Sequence, residues 1–77
     1  MRILLVEDEI KMSEALTYVL QQHHFTVDAV YDGESAYDHG MSNIYDVIVL
    51  DIMLPTIDGI EVLRRLRNEN INTPIIM

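Results

Sequence analysis

The chain is 77 residues long, 8.9 kDa, 49% hydrophobic and free of Cys and Trp, which allows one small domain and excludes both a disulfide framework and a thiolate metal site. Thirteen acidic residues against five basic ones leave a formal charge of −8, the wrong sign for a surface that must neutralise nucleic-acid phosphates. No apolar run approaches a membrane span, no basic amphipathic stretch suits a membrane surface, and the N-terminus turns acidic too early for a signal peptide, so a reducing, cytoplasmic setting is expected.

Ile3-Leu4-Leu5-Val6 is a continuous apolar run bounded by charge, which predicts a strand buried on both faces. From about Glu9 to Gln22, Met12, Ala15, Leu16, Val19 and Leu20 recur at helical spacing and predict an amphipathic helix. The run from Phe25 to Val30 largely alternates apolar and polar residues, as an edge strand with one wet face does. Asp32-Gly33 punctuates, and a weaker helix follows with Ala36, Tyr37 and Met41 on its apolar side. Val47-Ile48-Val49-Leu50 is the most strongly apolar run and predicts the central strand. Pro55 breaks the chain, and Asp58 is placed to cap a helix carrying Ile60, Leu63 and Leu66. Arg64, Arg65 and Arg67 lie near the C-terminal end of that helix, where cations complement its dipole. Asn72-Thr73-Pro74 breaks again, and Ile75-Ile76-Met77 begins another strand.

The order β-α-β-α-β-α-β implies an α/β fold with a parallel sheet covered by helices on both faces. Right-handed crossovers with strand order 2-1-3-4 place the first helix on one face and the other two on the opposite face. Function in such a sheet gathers beyond the carboxyl ends of the strands, where the strand order reverses. Glu7, Asp8 and Glu9 follow the first strand, and Asp51 closes the third. Acidic residues before a helix also complement its dipole, and Glu9 is read chiefly that way. Asp51 is different, because a carboxylate at the rim of an apolar core needs compensation. The crowded carboxylates ask for a cation, and oxygen ligands without His or Cys select a hard one, Mg²⁺ or Mn²⁺. His23 and His24 sit in a turn without partners at ligand spacing and are read as solvated.

Three segments then carry a resemblance: Ile3-Leu4-Leu5-Val6-Glu7-Asp8-Glu9; Tyr31-Asp32-Gly33; and Tyr45-Asp46-Val47-Ile48-Val49-Leu50-Asp51-Ile52-Met53-Leu54-Pro55, running on through Asp58-Gly59 to Thr73-Pro74-Ile75-Ile76. The chain resembles the response-regulator receiver domain of two-component signalling, and within it the OmpR/PhoB-like branch of transcription regulators. That resemblance implies a flavodoxin-like (CheY-like) open sheet and a regulatory phosphoacceptor rather than an enzyme. It implies Asp51 as phosphoacceptor for a histidine kinase, with Glu7, Asp8, Asp51 and the backbone carbonyl of Met53 holding Mg²⁺. Lys11, Ala15 and Tyr18 resemble positions that the family uses for kinase docking. The Met53 side chain is expected in the core. Pro55 is expected to stiffen the loop, and Gly59 to permit close approach or an unusual dihedral.

The family has five βα units, and this sequence reads as three plus a strand. The hydroxyl residue after the fourth strand, the Lys and aromatic switch of the fifth, and the last two helices have no counterpart here, so residues 1–77 are expected to be the N-terminal part of a receiver, truncated after the fourth strand. Self-association as a homodimer or domain-swapped oligomer is expected to cover the open strand edge and bare sheet face. A haloacid-dehalogenase-type phosphatase would want a second acid two residues after Asp51, where Met53 stands. A flavodoxin-like nucleotide binder would want a Gly-rich loop after the first strand, where three carboxylates stand. A folding or assembly unit without signalling activity is the remaining alternative.

Overall fold

The apolar runs and amphipathic stretches resolve into β1 (Arg2–Val6), α1 (Ile10–Gln22), β2 (Thr26–Val30), α2 (Gly33–Met41), β3 (Val47–Leu50), α3 (Gly59–Asn68) and β4 (Ile75–Ile76), in a computed structural model that describes all 77 residues. The four strands are parallel and ordered β2-β1-β3-β4, the order expected from the sequence. Val6 stands opposite Val30 on one side and Leu50 on the other, so the carboxyl ends of β1, β2 and β3 are level. That flush register places the next residues of β1 and β3 side by side.

Successive strand residues face opposite sides, which divides the interior in two. Leu4, Val6, Ile48 and Leu50 pack with Ala36, Val62, Leu66 and Ile71 in the main core beneath α2 and α3. Ile3 and Leu5, also buried, point to the other side, where α1 lies over β2 and β1. At the opposite end of the sheet, the Tyr45 hydroxyl donates to Asp28 at 2.7 Å, and Arg2 pairs with the same carboxylate at 3.0 Å.

Element boundaries shift by a residue or two from the expected ones, and the buried faces differ more. Glu9 is the N-cap of α1 rather than its first residue, with its carboxylate accepting from the N–H groups of Lys11 and Met12. The buried residue of α1 is Ser13, whose small side chain permits close approach to the sheet. Met12, Leu16 and Val19 lie about a quarter-turn away on the helix and remain exposed. On α2, Gly40 rather than Met41 faces α3, meeting Leu66. On α3, Val62 and Leu66 are buried while Ile60 is exposed. Asp58 caps α3 as expected, accepting from Glu61 N–H at 2.8 Å. Arg64 and Arg65 reach back to Glu61 and hold its carboxyl down to about 2, while Arg67 donates to the Ile71 carbonyl.

Candidate functional site

Beyond β1 and β3 the sheet ladder extends by one residue. Asp51 N–H donates to the Val6 carbonyl at 3.1 Å, and Glu7 N–H donates to the Val30 carbonyl at 3.2 Å. Glu7 and Asp51 therefore emerge together at the reversal of strand order, with Asp8 next along the chain. The carboxylate oxygens of Glu7, Asp8 and Asp51 lie within 4.8 Å of one another. Glu7 and Asp51 are half-buried and Asp8 is exposed.

This crowding has an electrostatic signature. Burial pushes the Glu7 carboxyl above its ordinary value, and the hydrogen bond and charge of Asp51 push it further the same way, with a lesser push from Asp8. Like charges at this range favour the protonated form of the half-buried carboxyl. The donor set is all oxygen, without His or Cys, and so fits a hard divalent cation, Mg²⁺ or Mn²⁺. Glu9 takes no part, since α1 occupies its carboxylate.

The loop from β3 to α3 forms one wall. Met53 N–H donates to Asp51 Oδ1 at 3.3 Å, so the Met53 backbone sits beside the candidate acceptor. Its side chain is 80% exposed, against the expected place in the core, because the turn points it away from the packed layers. Gly59 N–H donates to the Ile52 carbonyl at 2.7 Å. A Cβ on Gly59 would lie 2.3 Å from the Asp51 carbonyl oxygen, so close backbone approach, and no unusual dihedral, is what requires glycine there. Beside the carboxylates an open depression is lined by Asp8, Ile52, Met53, Leu54 and Asp58.

Lys11, Ala15 and Tyr18 are all exposed and fall along one side of α1, with Lys11 in its first turn. Thr56 was not singled out by sequence, yet it adopts φ 69° and accepts a hydrogen bond from Glu34 N–H at 3.0 Å. Nothing about a β-branched residue signals a left-handed position; Asp58-Gly59 two residues on signals only a nearby turn.

Residues 3–77 match the family model described as the response regulator receiver domain. Among curated relatives, the response regulator ArlR of Staphylococcus haemolyticus is 45% identical over 75 residues, covering 97% of this chain and 34% of ArlR. Protein RcaC of Microchaete diplosiphon is 46% identical over 77 residues, all of this chain and 12% of RcaC. Among solved structures, the response regulator TrrA of Thermotoga maritima in complex with Mg²⁺ and BeF aligns with a TM-score of 0.91 at 37% identity, over 99% of this chain and 66% of TrrA. TrrA has also been solved in complex with the histidine kinase ThkA. The chain thus spans about a third of ArlR and an eighth of RcaC. No helix is long and apolar enough to cross a membrane.

Proposed function

Because this chain belongs to the response regulator receiver domain family, we propose that Asp51 accepts a phosphoryl group from the phosphohistidine of a histidine kinase. The observation that carries this reading is the meeting of Glu7, Asp8 and Asp51 at the ends of adjacent parallel strands. TrrA, solved both with Mg²⁺–BeF and with its kinase ThkA, supports it by similarity.

Glu7, Asp8, Asp51 and the Met53 backbone carbonyl would hold Mg²⁺ (or Mn²⁺). When bound, the ion neutralises charge on the transferring oxygens. In the reaction, an Asp51 carboxylate oxygen forms the new P–O bond as the P–N bond of the phosphohistidine breaks, and the electron pair returns to the imidazole nitrogen. Asp51 directly follows β3, and Met53 N–H bonds one of its two oxygens, which would leave the other for the attack. Lys11, Ala15 and Tyr18 would lie at the kinase contact. In a longer protein carrying an effector domain, this module would regulate transcription, as the OmpR/PhoB-like resemblance suggests.

Labelling by acetyl phosphate with Mg²⁺ tests the reading. An acid-labile, hydroxylamine-sensitive adduct on the wild-type chain, lost in Asp51→Asn, is expected. Undiminished labelling of Asp51→Asn overturns the assignment.

A second property follows from a separate observation. Met12, Leu16, Val19 and Ile76 are exposed, and Ile76 shares a side of the sheet with Val49 and Leu5. β4 pairs only with β3 and leaves its other edge open. Self-association of this chain covers both features.

A further inference from the structure

The first turn of any helix leaves backbone N–H groups without intrahelical partners. In α2 three of these are satisfied in three different ways. Ser35 N–H is held by Asp32 Oδ1 at 2.8 Å, the ordinary work of an N-cap. Gly33 N–H donates to the Pro55 carbonyl at 3.0 Å, and Glu34 N–H donates to the Thr56 hydroxyl at 3.0 Å. The β3–α3 loop thus supplies two acceptors to a helix more than twenty residues earlier in sequence. Contact is tight here, since a Cβ on Gly33 would lie 1.9 Å from the Ile57 carbonyl oxygen.

Thr56 makes its bond from an unfavourable backbone. At φ 69° a β-branched side chain crowds its own carbonyl, and glycine or asparagine is the ordinary occupant of such a position. An exposed loop residue has no packing reason to keep this conformation with threonine. The hydroxyl supplies one: it accepts from Glu34 N–H, next to the Asp32 cap whose carboxyl the Ser35 N–H and hydroxyl hold below its ordinary value.

The consequence reaches the acidic site. The segment Ile52–Thr56 is pinned at its start by Gly59 N–H on the Ile52 carbonyl. It is pinned at its end by the two bonds from α2. Met53 lies between these anchors, with its N–H on Asp51 Oδ1. We propose that Thr56 is a positioning residue: its hydroxyl clamps the β3–α3 loop onto the start of α2 and so sets the Met53 backbone relative to Asp51. The proposal rests on the reading of Glu7, Asp8, Asp51 and Met53 as a cation-binding phosphoacceptor site. It adds a mechanical link, through which the start of α2 and the acceptor loop move together.

Three substitutions separate the hydroxyl from the strain. Thr56→Val keeps the shape and removes the acceptor; Thr56→Ser keeps the acceptor; Thr56→Gly removes both acceptor and strain. The probes are Mg²⁺ titration followed by ¹⁵N–¹H NMR on the 77-residue chain, and hydrogen exchange of the Glu34 amide. Thr56→Val is expected to speed Glu34 exchange and weaken Mg²⁺ binding roughly tenfold, the low end for groups that orient metal ligands. Thr56→Ser should keep both close to wild type. Thr56→Gly should resemble valine in Mg²⁺ affinity although its backbone is relaxed, and it carries the comparison if the valine variant fails to fold. Wild-type Mg²⁺ affinity in both Thr56→Val and Thr56→Gly overturns the positioning role alone. Absence of any Mg²⁺-dependent shift at Glu7, Asp8 and Asp51 in the wild type overturns the reading of the site itself.

Discussion

Glu7 carries the electrostatic tension of the site. Its carboxyl is raised by burial first and by Asp51 next, so the folded chain binds that proton more tightly than the unfolded chain does. Ionised Glu7 therefore destabilises the fold above its folded pKa, and the cost fades as pH falls through that value. Glu7→Gln imitates the protonated state and should stabilise the metal-free chain. Two unit charges about 4 Å apart repel by about 1 kcal/mol even in water, which corresponds to a Tm rise of about 4–8 °C for a domain of this size. Thermal unfolding in EDTA measures it, and Mg²⁺ should narrow the difference by stabilising the wild type more than the variant. Tyr45 and Asp28 work in the opposite sense. Burial and the Asp28 carboxylate push the Tyr45 hydroxyl up to about 12, and the Tyr45 hydroxyl, aided by Arg2, holds Asp28 below its ordinary value. The Tyr45 contribution is present below about pH 10 and lost as pH rises toward 12; that of Asp28 is present above about pH 4 and lost on further acidification. Tyr45→Phe should cost about 1.5–3 kcal/mol at neutral pH and remove the alkaline loss. Urea unfolding at pH 7 and pH 11 checks both.

At the level of elements, α3 shows how a correct helix can be assigned the wrong face. Ile60, Leu63 and Leu66 fall at helical spacing, yet Val62 and Leu66 are the fully buried pair and Ile60 is 54% exposed. Leu66→Ala should therefore cost about 2–5 kcal/mol, and Ile60→Ala well under half of that. Equal losses in denaturant unfolding would contradict the orientation of α3. The strands were legible because unbroken apolar runs between charges have few other uses in so short a chain. The acidic site was legible for a related reason: in a parallel sheet the residues closing adjacent strands must meet. Buried helix faces were less so, since hydropathy shows which residues prefer cover but not which are covered. Ser13 sits under α1 because it is small, and Met12, Leu16 and Val19 stay out although apolar. The Thr56 clamp had no sequence signal, because it depends on a dihedral and on a partner twenty-two residues away.

Across the whole molecule the two sides of the sheet are unequally served. α2 and α3 share the side holding the main core, while α1 alone covers the other and lies over β2 and β1. Val47 and Val49 are left half-covered there, Ile76 is 59% exposed, and the stripe Met12, Leu16, Val19 lies on the helix of the same layer. A face of on the order of 300 Å² on each of two copies is costly to leave in water, yet the area it would bury falls below the roughly 1,200–2,000 Å² of stable interfaces. A dimer of micromolar affinity is therefore expected. The charge of −8 on each copy opposes contact, so raising salt from low ionic strength should tighten association until the Debye length falls below about 10 Å. Val19→Glu on the stripe and Ile76→Lys at the open strand should each shift sedimentation equilibrium toward monomer without loss of the folded amide spectrum. A wild-type chain that stays monomeric at high micromolar concentration in 0.5 M salt, with well-dispersed amides, would show that the uncovered face tolerates water and that the −8 charge is not what keeps copies apart.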